Sequence, residues 1–235
     1  MFKKNSSKQM NLGIVILNWN GVKLLEKFIP PLLKYTPEQH KIYVIDNGST
    51  DNSIEFIKKH KRIKIIKLDY NYGFAKGYNL GLRDVKEDIL CLLNNDVEVT
   101  KDWTKSILKQ FKEEVDTAVI QPKLKNYFDK HEFDYAGAAG GFLDKYGYPY
   151  CNGRIYNKIE KDLNQYDKLS DIFWACGACF FIRKNIFDNH NGFDENFWAH
   201  MEEIDLCWRI QNSKFKIRFN HNSEVFHANA ASLKQ

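Results

Sequence analysis

The sequence predicts an α/β fold, a mostly parallel central sheet flanked by helices with a small second sheet, on three observations. Short β-branched runs alternate with helix-periodic segments through the first half of the chain. The runs contain few polar alternations, as strands buried on both faces do. Polar residues gather where the runs end: Asn18, Asp46, Asn71, and then Asn94, Asn95 and Asp96.

In chain order, the β-branched run 13–17 predicts a strand and 22–34 a helix. A strand over 41–45, a helix over 51–59, a strand over 63–68, a helix over 74–84 and a strand over 89–93 follow. This is repeated βαβ, and ligands are expected beyond the carboxyl ends of the strands, at the switch point of the sheet. Beyond Trp103 the pattern predicts a helix to about residue 114 and a strand over 118–121. The Gly-, Tyr- and Asp-rich stretch 126–171 is too long for a structureless loop, so short strands and a mobile segment near the substrate are expected there. The run 171–183 reads as strand, 202–212 as helix, and 215–219 and 223–226 as short strands.

A chain of 235 residues with 43% hydrophobic content accommodates one substantial domain, taken as 11–235 behind a flexible terminus over 1–10. The net charge of +5 is spread from end to end, which favours anionic ligands but provides no basic stripe or motif for nucleic acid. No run reaches the ~20 apolar residues of a membrane span, and no apolar segment follows the first lysines as in a signal peptide, so a cytoplasmic protein is expected.

Five cysteines are an odd number, and three lie in apolar stretches, which argues against a disulfide framework. Cys176 and Cys179 imitate a redox dithiol, but their surroundings read as a continuous apolar strand with no helix start to activate a thiol. No second pair stands at zinc-site spacing. A nicotinamide-dependent oxidoreductase would need a Gly-x-Gly-x-x-Gly turn after the first strand, where residues 18–23 read Asn-Trp-Asn-Gly-Val-Lys.

Two acidic groups remain as candidates for chemistry. Asp96 ends a buried strand, where its oxygens suit Mg²⁺ or Mn²⁺ or cap a turn. Glu202, Glu203 and Asp205 open a helix, where the macrodipole alone would favour them; beside Phe197, Trp198, Cys207 and Trp208 a carboxylate would be partly desolvated and improved as a base. The aromatic residues of the middle stretch, including Tyr135, Tyr146, Tyr148, Tyr150, Phe173 and Trp174, could fill a core or stack sugars at an acceptor site.

Seven segments, in order, resemble glycosyltransferase family 2, the GT-A fold enzymes that include bacterial rhamnosyltransferases. They are Val-Ile-Leu-Asn-Trp-Asn-Gly at 15–21, Val-Ile-Asp-Asn-Gly-Ser-Thr-Asp-Asn-Ser at 44–53 and Asn-Tyr-Gly-Phe-Ala-Lys-Gly-Tyr-Asn-Leu-Gly at 71–81. Then come Leu-Asn-Asn-Asp-Val at 93–97, Gly-Ala-Cys-Phe-Phe-Ile-Arg at 177–183, Glu-Glu-Ile-Asp-Leu-Cys-Trp-Arg at 202–209 and Val-Phe-His at 225–227.

The resemblance implies an inverting transfer of a hexosyl or deoxyhexosyl group from a nucleoside-diphosphate sugar to an acceptor hydroxyl. Residues 11–100 would bind the nucleotide and 101–235 would supply acceptor contacts and catalysis. It implies donor binding by Asn18, Asp46, Asn71, Gly73, Asn79 and Asn95, and a divalent cation, Mg²⁺ or Mn²⁺, at Asp96 with His227 close to it. Asn94 replaces the first acid of the family's Asp-x-Asp motif, so diphosphate oxygens would complete the coordination. Glu203 would be the base, with Glu202 beside it as the other candidate. The implied acceptor is an oligosaccharide or a lipid-linked one in bacterial surface polysaccharide synthesis, at the inner membrane face with peripheral membrane association. The second reading is a catalytically silent relative that binds nucleotide or glycan, suggested by Asn94 and by the short C-terminus; Ala230 stands where the family commonly has Gly.

Overall fold

The computed structural model describes residues 10–229; Ala230 and residues 1–9 lie outside them. The first half forms β1 (Leu12–Asn18), α1 (Val22–Tyr35), β2 (Lys41–Asn47), α2 (Ser53–Lys58), β3 (Ile63–Leu68), α3 (Gly73–Gly81) and β4 (Ile89–Asn94). β1, β2 and β4 are almost wholly buried, so each strand is apolar until its last residues. α1 packs inward through Leu25, Phe28, Ile29 and Leu32, the spacing of one helical face.

The second half adds β5 (Val97–Val99), α4 (Lys105–Glu113), β6 (Thr117–Asn126), β7 (Gly141–Leu143), β8 (Pro149–Cys151), β9 (Arg154–Ile155), β10 (Lys158–Ile159), β11 (Ser170–Asp171), β12 (Cys179–Arg183), α5 (Lys184–Asn189), α6 (Glu202–Asn212) and β13 (Lys216–His227). One nine-stranded sheet runs through both halves in the order β11-β13-β6-β12-β4-β1-β2-β3, with β5 paired to β13. β3, β2, β1 and β4 are mutually parallel, as are β6 and β13, whereas β12, β5 and β11 run antiparallel to their neighbours. β7 with β8 and β9 with β10 form two small hairpins.

Two expectations change. The run 171–183 is not one strand: β11 and β12 are separated, and Cys176, Gly177 and Ala178 make a turn in which Cys179 N–H donates to the Cys176 carbonyl at 3.2 Å. Apolar content alone could not reveal this, because the turn is buried and needs no polar residues. The two late strands are one, β13, bent where its register against β6 shifts between Asn220 and Glu224. All five cysteines are free and buried. Among the described residues no helix is long and apolar enough to cross a membrane.

Candidate active site

The parallel strands carry their polar ends to one rim. Asn18 is in register with Asp46 across β1 and β2, and Leu17 with Asn94 across β1 and β4. The chain leaves β1 for β2 on one side and returns to β4 on the other, so a crevice opens above β1. Asn18, Asp46 and Asp96 are each only 1% exposed. Asn95 Nδ2 donates to Asn18 Oδ1 at 2.9 Å, joining the tips of β1 and β4. Gly21 makes room for this pair: a Cβ there would stand 2.4 Å from Asn18 Oδ1 and 2.5 Å from Asn95 Nδ2. Asp46 Oδ2 accepts from Ser49 N–H at 3.2 Å, while its buried Oδ1 has no donor.

The loop from β3 into α3 is tied down by Asn47, which no candidate role had included. Its Nδ2 donates to Asn71 Oδ1 at 2.9 Å and to the Gly73 carbonyl at 3.0 Å, and its Oδ1 accepts from Tyr72 N–H at 3.0 Å. Asn71 Oδ1 also accepts from Gly73 N–H at 2.9 Å. Gly73 has φ +78°, and a Cβ there would press on the Trp198 carbonyl at 2.9 Å. This glycine therefore permits close approach of the 194–201 loop, whose Trp198 carbonyl accepts from Phe74 N–H at 2.9 Å. Asn79, expected at the donor, is engaged within the chain. Its amide donates to the Phe193 carbonyl at 2.8 Å and accepts from Phe193 N–H at 3.0 Å, so both ends are occupied in fixing the segment that leads to α6.

Asp96 closes the short turn between β4 and β5, and neither of its buried carboxylate oxygens has an aligned hydrogen-bond donor. His227, at the end of β13, is opposite: β13 pairs with β5 through His227 and Val97. Its Nε2 is 3.2 Å from Asp96 Oδ1, off the line of a hydrogen bond, and its Nδ1 is 3.2 Å from Asp134 Oδ1. Burial pulls the imidazole pKa down, but the close contacts with the Asp134 and Asp96 carboxylates and their charges overcome this and lift it to about 10.

Asp134 is fully buried, accepts from Ala136 N–H at 2.8 Å, and also receives Asn229 Nδ2. It falls in the 126–171 stretch, where sequence offered no signal for it; only the fold of that excursion over β6 brings it to His227.

A divalent cation fits this pair. A carboxylate oxygen and an imidazole nitrogen 3.2 Å apart match neighbouring ligands of one octahedral ion at about 2.1 Å, which would displace the proton that His227 otherwise holds between the two carboxylates. Asp134 is placed as the partner that orients a ligand histidine. Among the described residues no group of three or more His, Cys, Asp and Glu side chains converges on one point, so donor phosphate oxygens would have to complete the shell.

α6 presents the second acidic group. Glu202 shares the buried stripe of Leu206, Cys207 and Ile210, and burial followed by the charge of Glu203 pushes its pKa up to about 7. Glu203 is turned the other way, towards Gly177. Burial raises its pKa, opposed by peptide N–H groups including that of Gly177 and by the charge of His200. Glu203 Oε2 is buried without a partner.

The two acidic groups meet around one floor. Asn94 N–H donates to the Ala178 carbonyl at 2.9 Å, which fastens the tip of β4 to the turn that faces Glu203. The thiol of Cys176 lies within electrostatic reach of both Asp134 and Glu203. A surface depression of about 610 Å³ elsewhere, lined by Lys34, Tyr35, Arg62 and Lys101, is no rival. Its Arg62 already donates to the Leu33, Thr36 and Pro37 carbonyls.

The family model for glycosyl transferase family 2 matches residues 13–190. The chain belongs to glycosyl transferase family 2. Relatives in this family include the low-salt glycan biosynthesis hexosyltransferase Agl10 of Haloferax volcanii, 23% identical over 212 residues that cover 88% of this chain and 64% of the relative. The N-acetylglucosaminyl-diphospho-decaprenol L-rhamnosyltransferase of Mycobacterium tuberculosis is 20% identical over 240 residues, covering 94% of this chain and 77% of the relative. This chain thus spans just under two thirds of the Haloferax protein's length.

Among solved structures, GalNAc-T7 with UDP, GalNAc and Mn²⁺ superposes with a TM-score of 0.75 at 16% identity, over 94% of this chain and 44% of that one. The mannosyltransferase of Pyrobaculum calidifontis in complex with GDP-Man and Mn²⁺ gives 0.69 at 11% identity, over 94% and 58%. These likenesses establish the GT-A fold of the family. The family match ends before α6 and β13, so Glu203 and His227 rest on geometry.

Proposed function

We propose that this family 2 protein is an inverting glycosyltransferase that moves a hexosyl or deoxyhexosyl group from a nucleoside-diphosphate sugar to an acceptor hydroxyl. The observation that carries the reading is the buried carboxylate of Asp96 beside His227, with Glu203, whose Oε2 is buried without a partner, facing the turn that is fastened to the tip of β4.

The nucleoside would lie in the crevice above β1. Asp46 Oδ1, buried and lacking a donor, is available to a base imino N–H, and Asn18, Asn95 and Asn71 border the same rim. Asp96 and His227 would hold Mg²⁺ or Mn²⁺, which neutralises charge on a diphosphate leaving group. Asp134 keeps His227 in orientation through Nδ1.

Glu203 would take the acceptor proton as the acceptor oxygen attacks the anomeric carbon. Its raised pKa places it closer to the optimum for a base at neutral pH than an exposed carboxylate would be. Glu202, on the buried stripe, is itself held towards its neutral form by burial and by the charge of Glu203. Direct displacement requires no covalent glycosyl-enzyme intermediate. The proposed setting is bacterial surface polysaccharide assembly on an oligosaccharide or lipid-linked acceptor, with peripheral association at the inner face of the membrane.

The deciding experiment is a thermal-shift and donor-hydrolysis screen of UDP-, GDP- and dTDP-sugars with and without Mn²⁺ or Mg²⁺. A selective ligand stabilises the native state by mass action. Binding of one nucleotide class with metal-dependent turnover supports the reading. Binding without any turnover or transfer would make the chain a silent nucleotide-binding relative.

A further inference from the structure

Residues 190–201 form a strap that leads from α5 to α6, the helix that opens with Glu202 and Glu203. The strap is fastened to both helices that border the site. On α3, Asn79 pairs with both peptide groups of Phe193: its Nδ2 donates to the carbonyl at 2.8 Å and its Oδ1 accepts from the N–H at 3.0 Å. Gly192 permits this approach, since a Cβ there would stand 2.4 Å from Asn79 Oδ1. On α6, Arg209 Nη2 donates to the Gly192 carbonyl at 2.8 Å and Nη1 to the His190 carbonyl, while Nε donates to Asp205 Oδ2 at 2.8 Å. Adjacent peptide groups of the strap are therefore held by α3 and by α6.

α3 is the anchored body. Asn47 Nδ2 reaches its Gly73 carbonyl at 3.0 Å, and its Tyr78 is fully buried in the core. The buried Phe193 ring meets Phe74 and Tyr78 of α3 and Phe187 of α5. The far end of the strap is strained. His200 and Met201 have φ of +72° and +71°, and two consecutive side chains keep a left-handed backbone only where their surroundings over-determine it. The Met201 carbonyl accepts from Asp205 N–H at 3.0 Å, so the strained pair sets the first turn of α6, and the charge of His200 reaches Glu203. Freed from α3, the pair can relax, and the turn that carries Glu203 moves with it. Helix capping does not account for Asn79, because both polar ends of a half-buried amide are engaged with one residue 114 positions away.

We infer that Asn79 and Arg209 are positioning residues for the proposed base: through the strap they fix the first turn of α6, and with it Glu203, relative to the helix that borders the donor. The inference rests on the transferase reading and adds to it two residues that act without contact to donor or acceptor.

The test is Mn²⁺-dependent hydrolysis of radiolabelled UDP-glucose, GDP-mannose and dTDP-glucose by the full chain at high enzyme concentration. Water then takes the acceptor's place and needs the same base. Donor affinity is measured separately by calorimetry. Asn79→Ala and Arg209→Lys are each expected to lower kcat by about ten- to a hundredfold on the donor that the parent hydrolyses, with donor Kd changed by no more than about twofold. In a Glu203→Gln background the same substitutions should leave the residual rate unchanged, because the group they position is already gone. Asn79→Asp, which keeps the acceptor for Phe193 N–H, should recover part of the loss.

Donor binding that weakens in step with kcat would make Asn79 a donor contact. Undiminished kcat, or equal fold losses with and without the Glu203 carboxylate, would leave both residues with structural roles only. Each of these results overturns the inference. If Asn79→Ala does not fold, Gly192→Ala, which pushes the strap away from an intact amide, carries the same comparison. Absence of hydrolysis by the parent on all three donors removes the transferase reading and this inference with it, whereas a hydrolysing parent with unaffected variants removes the inference alone.

Discussion

His227 Nε2 stands 3.2 Å from Asp96 Oδ1, joining the end of the last strand to the turn after the fourth across 131 residues of chain. The contact puts an imidazole against a carboxylate whose oxygens have no aligned donor of their own. Removing the carboxylate should therefore act on the cation and not on the rim. Asp96→Ala is expected to lower metal-dependent transfer at least about a hundredfold and to abolish the Mn²⁺-dependent part of nucleotide-sugar binding in a thermal-shift titration. A variant that keeps Mn²⁺-dependent donor binding would exclude Asp96 as the metal ligand.

Glu203→Gln preserves shape and hydrogen-bonding capacity at the turn of Gly177 but cannot accept the acceptor proton. The rate of transfer is expected to fall by about 10²- to 10⁴-fold, the usual worth of a general base, while donor affinity stays within a factor of about two to three. Near-normal turnover in this variant would remove Glu203 from the mechanism and direct attention to Glu202.

The same acidic pair sets a pH dependence. Glu202 is pushed up to about 7 by burial and by Glu203, and Glu203 is raised by burial. Activity should rise with pH along an acid limb well above the ordinary carboxylate range. Stability moves the other way. A carboxyl with a raised folded-state pKa binds protons better in the native state, so its contribution is fully present below about pH 4.5 and is lost as pH rises through about 7. Glu202→Gln should therefore raise the melting temperature at pH 8 by several degrees and change it little at pH 4. Equal shifts at both pH values would contradict the assignment.

Gly21→Ala tests the rim. The added methyl group would overlap the Asn18–Asn95 hydrogen bond that links β1 to β4. Overpacking of this kind costs about 1–3 kcal/mol, and here the nearest adjustable atoms are the two amides. Nucleotide affinity is expected to drop about tenfold or more in a calorimetric titration, with a smaller effect on melting temperature. An unchanged affinity would mean that the amide pair does not shape the nucleotide site.

Lys123 anchors the excursion that brings Asp134 to His227. It is buried on β6, its Nζ lies 3.0 Å from Asp162 Oδ2, and it also contacts Asp167, while Lys125 Nζ approaches Asp162 at 3.2 Å. Lys123→Met leaves acidic groups without their main partner and is expected to destabilise the fold by on the order of 3 kcal/mol. The loss, measured by urea denaturation, should shrink as pH falls and Asp162, whose pKa these lysines hold down, becomes protonated.

The amino-terminal half was legible in the residues themselves. β3 spans the run 63–68 as read, α6 spans 202–212 as read, and β1, β2 and β4 extend only one or two residues beyond their apolar runs. These elements carry a local period, and the parallel arrangement follows from their alternation. Asn18, Asp46, Asn95 and Asp96 could be singled out because a polar residue at the tip of a buried strand has few structural reasons to be there.

Other features depend on pairings that no local pattern encodes. The turn at Cys176 to Ala178 hides in an apolar run because its peptide groups are satisfied by distant partners, among them Gln121, whose Oε1 accepts from Cys176 N–H at 2.8 Å. The direction of Asn79 was set by Phe193, 114 residues away. Asp134 and Asn47 became visible only with the coordinates. Local sequence determined which segments are strands and helices and which acids end them, because backbone periodicity and burial are short-range properties. Tertiary structure decided which acid faces which base, since contact across the sheet depends on register and on the path of long connections.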